Sequence, residues 1–190
     1  MDRVLHENKT FDGEDYSEKK LPEQEFDNCE FINCNFSKSD LSNSDFMDSS
    51  FTSCNFSLSV LGNTGIKNST FKDCKLIGID FSKCNDFLFS ASFNNCQMDY
   101  CSFYRKKLKK AVFTDCSLKE VDFTEVDLSL ATFKNCDLID ATFIQTILEK
   151  TDFRTAINYS LDPELNKIKK GKFSQAGIAG LLVKYNIDIE

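Results

Sequence analysis

The chain contains no tryptophan, one histidine and two prolines among its 190 residues. The lone His6 has no nucleophile near it, so no Ser/His/Asp arrangement can be assembled around it in sequence. The seven glycines are scattered and form neither GxGxxG nor a phosphate loop. No apolar run approaches the ~20 residues of a membrane-spanning helix. The opening MDRVLHENKTF is charged and lacks the apolar stretch of a secretory leader. These absences set the expectation of a soluble cytoplasmic protein that is not an enzyme, with no cofactor, no metal and no membrane partner.

What is abundant is phenylalanine, with nineteen residues, and cysteine, with nine. The phenylalanines are periodic. In FDNCEFINCNFSKSDLSNSDF (26–46), a bulky apolar residue returns every fifth position, at Phe26, Phe31, Phe36, Leu41 and Phe46. A helix would scatter such a series around its axis and a strand would alternate it between faces, so the chain must turn a corner within each unit. One series runs from Phe11 to Phe81 and a second from Leu88 to Phe153. Of their twenty-nine central positions, sixteen are Phe and ten Leu, the others being Tyr16, Ile66 and Met98. Two residues before each centre lies a small one, such as Cys34, Ser39, Ala91 or Cys116, giving one large and one small inward residue per unit.

A longer period contains the short one. Cys34, Cys54 and Cys74 are spaced by twenty, as are Cys96, Cys116 and Cys136. Twenty is four units, so the coil has four sides and like residues stack in columns. The step from Cys74 to Cys96 is twenty-two, and its two extra residues fall in SKCNDF (82–87), an expected bulge that leaves the register intact. Cysteines stacked in parallel along a ladder suit neither a disulfide nor tetrahedral zinc and read as buried thiols. Cys84, inside the bulge, is the exception and the candidate for an exposed, reactive thiol.

Charge is unevenly spread. Residues 1–87 hold 16 acidic side chains against 9 basic, and residues 111–165 hold 11 against 4. Two basic islands, RKKLKK (105–110) and KIKKGK (167–172), separate and end these acidic bodies. An acidic chain with small basic islands is a poor direct binder of nucleic acid.

The pattern resembles the pentapeptide-repeat family, whose units read approximately A(D/N)LXX with a central Leu or Phe. The resemblance covers residues 11–157 and implies an all-β fold, a right-handed quadrilateral parallel β-helix of about seven coils. Residues 1–10 are then a lead-in, and 158–190, which leave the five-residue rule, a C-terminal helical cap. Asp162-Pro163 is expected to open one short helix, and Ile178, Leu181, Leu182 and Tyr185 to share a face of a second. In the quinolone-resistance (Qnr-like) members a C-terminal helix joins two copies, so the resemblance implies a homodimer through those four residues.

Two functional readings follow. By resemblance to the Qnr-like members, the rod mimics DNA, binds DNA gyrase or topoisomerase IV and protects it from quinolones. The residues chosen to meet the enzyme are Asp115, Glu120, Asp122, Glu125, Asp127, Asp137 and Asp140. The alternative is a non-enzymatic scaffold with an unrelated protein partner, engaged through a regular side or through the aromatic and basic surroundings of the bulge. Phe87, Phe89, Tyr104 and Arg105 are the candidates there, and Asp86 and Lys106, one coil apart, are positioned to pair.

Overall fold

The computed structural model describes residues 4–87 and 89–188; the expected centre Leu88 lies outside them. Each side of the coil carries one central column and is named here by an early member: the Phe11, Tyr16, Leu21 and Phe26 walls. Numbered in chain order, strands β1 (Val4–Glu7), β3 (Gln24–Asp27), β5 (Asp45–Met47) and β7 (Gly65–Lys67) form a parallel sheet on the Phe26 wall. Strands β2 (Thr10–Asp12), β4 (Glu30–Ile32), β6 (Ser50–Thr52), β8 (Ser69–Lys72), β9 (Ala91–Asn94), β10 (Val112–Thr114) and β11 (Thr132–Lys134) form a seven-stranded parallel sheet on the Phe11 wall. The other two walls are held by single bridges with the same spacing, such as Asn35↔Asn55 and Ser102↔Asp122. The protein is a parallel β-solenoid.

The corners follow from backbone conformation. Two residues after most centres the chain enters the left-handed region, with φ between 48° and 64° at the non-glycine members; Lys83 and Thr155 are exceptions. For most residues this costs about 1–2 kcal/mol, less for Asn and Asp, whose short side chains bond locally. On every corner some of these residues bond one another along the rod, as Asn63 does to Asn43 at 2.9 Å and Lys38 to Glu18 at 3.3 Å. Asn28 donates to Asn8 at 2.7 Å, and Asn95 and Asn135 donate to Asp73 and Asp115 at 2.7 and 2.9 Å.

The interior is a set of aromatic columns. On the Phe11 wall nine Phe rings, from Phe11 to Phe173, stack at centroid separations of 4.7 to 5.5 Å with planes within 16° of parallel. In the N-terminal half Phe also occupies the Tyr16 and Phe26 walls, with Leu21, Leu41 and Leu61 on the wall between them. From Phe81 onward it moves to the Leu21 wall, where Phe81, Phe103, Phe123 and Phe143 stack, and Leu fills the sides between. The exchange keeps the interior filled: a void there, lined by Phe46, Phe56, Ile79 and Phe81 among others, measures about 10 Å³. Phe→Ala in such a core costs roughly 3–5 kcal/mol.

The small inward residues serve as donors as well as fillers. Cys34, Cys54, Cys74 and Cys96 point their thiols at the carbonyls of Phe11, Phe31, Phe51 and Phe71 at 3.3 to 3.4 Å. Ser44, Thr64, Thr146 and Thr151 make the equivalent contact with hydroxyls at 2.8 to 2.9 Å. Cys, Ser and Thr interchange in this row because each offers a short donor to the carbonyl one coil earlier.

The ladder reaches further at both ends than the spacing of large residues indicates. Strand pairing starts at Val4, within the segment read as a lead-in, and His6 takes a central position with its ring stacked 4.8 Å above Phe26. Bridges Ile147↔Lys167 and Asp152↔Lys172 carry the coil past residue 157. Asp162 does not open a helix; its carboxylate accepts the Glu164 N–H at 2.8 Å in a corner turn. The second helix is also absent. Ala176–Leu181 and Val183–Tyr185 form 3-10 turns instead. Gly177 and Gly180 account for this, since glycine weakens an α-helix and both lie against Tyr159. A Cβ on Gly177 would come 2.3 Å from the Tyr159 hydroxyl, and one on Gly180 2.2 Å from its carbonyl.

The insertion behaves as the spacing predicts for register but not for Cys84. Pairs Ser69↔Ala91 and Phe71↔Phe93 resume the columns. Phe81–Lys83 tighten into a 3-10 turn and carry Cys84 inward, where it is 4% exposed and burial pushes its thiol up to about 12. All nine cysteines are buried and unpaired. Burial keeps each thiol out of reach of the reagent, so at pH 8 none of the nine should react with a disulfide reagent within minutes in the native protein. All nine should react in denaturant. Rapid native labelling of Cys84, read by mass spectrometry, would contradict this placement.

Candidate interaction surfaces

The seven acidic candidates do not share one side. Glu120 and Asp140 stack on the corner between the Tyr16 and Leu21 walls, with Asp137 and Asp122 flanking them on those walls. Asp115 occupies the corner between the Phe11 and Tyr16 walls, Glu125 the corner between the Leu21 and Phe26 walls, and Asp127 the Phe26 wall itself.

Several of these carboxylates also build the backbone. Asp122, Asp127 and Asp137 each sit one residue before a centre and accept the N–H two residues on, from Thr124, Ser129 and Ile139, at 2.9, 2.9 and 3.3 Å. The same turn is made by Asp15, Asn35, Asp40 and Asn55 in the N-terminal half. An Asp at this position closes the corner, and Asn does the same without charge. Asp137 also holds Asn158 at 2.7 Å and lies 3.5 Å from the Lys119 ammonium. Glu120 and Asp140 are exposed and make no side-chain bond or ion pair among the described residues. That row of interchangeable Asp and Asn in the sequence was the available sign of a structural role.

Two sequence-derived sites cancel each other at one corner. Arg105 donates from Nε to Glu125 Oε2 at 2.8 Å and from Nη2 to Oε1 at 3.2 Å, and Tyr104 donates its hydroxyl to the same carboxylate at 3.2 Å. The Arg105 guanidinium also lies 4.8 Å from the Tyr104 ring centre. Hydrogen bonding from Arg105 holds the Glu125 carboxyl below its usual range. Glu125 is thereby neutralised as an acidic contact.

At the bulge the two phenylalanines part. Phe89 packs on the core, edge-on to Phe81 at 6.2 Å, while Phe87 is 68% exposed. Lys106 and Asp86 pair, as their one-coil separation allows. The lysine is 2% exposed; its ammonium bonds Asp86 and the Cys84 carbonyl and lies 5.1 Å from the Phe89 ring centre. Its four-carbon stem occupies the row of small inward residues beside the insertion.

The C-terminal end exposes apolar surface. Of the four residues read as a shared face, Ile178 and Tyr185 are exposed, Leu182 is half-buried and Leu181 turns inward onto the core. Loss of the helical turn explains this split. Val183, Ile187, Leu165 and Ile157 are exposed at the same end of the rod. The five-residue pattern gave no sign of them, since they lie outside its central positions.

The buried lysine yields a direct test. Replacing Lys106 with Met keeps the stem volume and should cost less than about 1.5 kcal/mol. Lys106→Ala removes the stem and leaves a cavity, for about 2–4 kcal/mol. Urea midpoints of the two variants would separate stem packing from ion pairing: equal losses would show that the charge, and not the stem, dominates.

A family model described as a pentapeptide repeat region matches residues 24–86 and 87–160. Among solved structures, a trypsin-treated variant of QnrB1, a plasmid-mediated fluoroquinolone resistance protein, is 21% identical. The match covers 99% of this chain and 98% of that one, with a TM-score of 0.58. A second trypsin-treated QnrB1 variant is 22% identical over 98% of this chain and 100% of that one, with a TM-score of 0.48. HetL, a pentapeptide repeat protein involved in heterocyst differentiation regulation in the cyanobacterium Nostoc, is 13% identical over 90% of this chain and 87% of that one, with a TM-score of 0.36. No curated protein sequence matches. With the repeat model spanning well over half of the residues and the period visible in every column, the chain belongs to the pentapeptide-repeat family.

Proposed function

We propose that this protein is a non-enzymatic, DNA-mimicking rod that binds a type II topoisomerase, DNA gyrase or topoisomerase IV, and shields it from quinolones. The observation that carries the reading is the edge between the Tyr16 and Leu21 walls. There Glu120 and Asp140 project unpaired one coil apart, with Asp122 and Asp137 behind them. A straight acidic edge offers carboxylates in series to a groove lined by basic residues, as a phosphate backbone does. Likeness of fold to QnrB1, itself a fluoroquinolone resistance protein, supports the choice of partner. Asp115 extends the acidic surface round one corner, and Asp127 and Glu125 belong to other sides. The nine unpaired cysteines fit residence in the reducing cytoplasm.

A second reading has a specific basis. Duplex DNA carries one charge per about 1.7 Å of axis, whereas this edge has two unpaired corner carboxylates. So sparse a series also suits a scaffold with an unrelated basic partner, and Phe87 supplies an exposed aromatic anchor for such a contact.

The purified protein at micromolar concentration should inhibit gyrase supercoiling or reduce ciprofloxacin-stabilised cleavage. Glu120→Gln with Asp140→Asn should weaken the effect about tenfold. Absence of both effects would leave the scaffold reading. The apolar end formed by Ile178, Leu182 and Tyr185 is proposed to join two copies. Ile178→Asp with Tyr185→Asp should shift sedimentation from dimer to monomer, and a wild-type monomer at tens of micromolar would refute the pairing.

A further inference from the structure

The two basic islands are separated by about sixty residues in sequence, and sixty residues are three coils. Bridges Lys107↔Asp127, Asp127↔Ile147 and Ile147↔Lys167 place Lys167 directly along the rod from Lys107. Lys109 and Lys169 stand in the same relation, as do Lys110 and Lys170, the latter two sharing a left-handed corner column with Lys150. RKKLKK and KIKKGK are therefore one surface, on the Phe26 wall and its corner with the Phe11 wall. This edge lies diagonally opposite Glu120 and Asp140.

The seven lysines 107, 109, 110, 150, 167, 169 and 170 are exposed, and none makes an ion pair among the described residues. The acidic groups facing the same strip are Asp127, already bonded to Ser129, Glu149, and Asp86 beside Phe87, which is paired with Lys106. Between Lys107, Lys109 and Lys110 and the preceding coil lies a groove of about 210 Å³, lined also by Asn68, Ser90 and Ser92. At the end of the strip stands Phe87, with the Lys67 ammonium 6.0 Å from its ring centre. A line of cations, hydroxyl and amide groups and one exposed ring is the chemistry of a single-strand nucleic-acid track: charge follows the backbone and a base stacks on the ring. Four coil spacings of about 4.8 Å give a track of roughly 19 Å, long enough for a few nucleotides.

We propose that this basic edge binds single-stranded nucleic acid along the rod axis, with Phe87 as a stacking platform. The expectation that the islands are too small for such binding treated them as separate; the coil adds them together. An acidic protein segment would use the lysines but not the ring, so Phe87 distinguishes the two.

The test is fluorescence anisotropy of a labelled oligo-dT of about 15 nucleotides, beside a labelled poly-glutamate peptide of similar charge. Binding of the oligonucleotide should weaken with salt at a log–log slope of about −3, as four phosphate contacts predict. Phe87→Ala should lose about tenfold for oligo-dT and little for the peptide. Lys107→Glu with Lys109→Glu and Lys169→Glu should abolish binding while the circular-dichroism spectrum is unchanged. No binding of oligo-dT at 50 micromolar protein in about 50 millimolar salt, a regime in which backbone contacts are strong, would overturn the proposal. So would equal binding of both probes indifferent to Phe87. Because Glu120 and Asp140 lie on the opposite edge, their neutralisation should leave oligo-dT binding intact, which separates this proposal from the topoisomerase reading.

Discussion

Everything in this protein depends on the residue that enters the left-handed region two positions after most centres. It turns the chain through a corner after a short extended run, and so fixes four sides and a return every twenty residues. Without that return the backbone groups would have no partner one coil away, and the Phe rings would not stack face to face. The strain at each corner is local, while the compensation is shared along the rod. The compensation comes from inter-coil bonds such as Leu41 N–H to the Val60 carbonyl at 2.9 Å, from the Asn ladders and from the aromatic columns. Stability in such an array is a sum over neighbouring coils.

The same geometry divides surface charge into two kinds. Most aspartates one residue before a centre, such as Asp40, Asp80 and Asp122, are committed to closing turns, and their charge is incidental to that task. Carboxylates and ammonium groups at the corners themselves point away from the rod and make its electrostatic edges. The net charge of −7 therefore conceals a molecule with an acidic edge and a basic edge on opposite corners. A count of charge along the chain does not reveal this; a count modulo twenty does.

Large inward residues were the legible part of the sequence. Phe and Leu at fixed spacing gave the walls, the coil length and the effect of the two extra residues, because burial imposes the period. What was not legible is set by contacts that no period encodes. His6 stacks on Phe26 although a histidine breaks the apolar series. Cys84 is drawn inside by a 3-10 turn that shares no spacing with the repeat. The C-terminal segment has helical periodicity, yet Tyr159 needs both Gly177 and Gly180 against it, and the chain tightens to let them approach. Arg105 and Glu125 looked like members of different sites until the coil set them side by side.

Four walls in a fixed order also limit how such a chain can change its length. Deleting one five-residue unit would rotate everything beyond it by a quarter turn, bringing Lys167 and Lys170 onto a different side from Lys107 and Lys110. Only removal or duplication of a whole circuit keeps both charged edges straight. The two residues added near Cys84 obey the same restriction, since they loop outward and leave the angle between the halves unchanged.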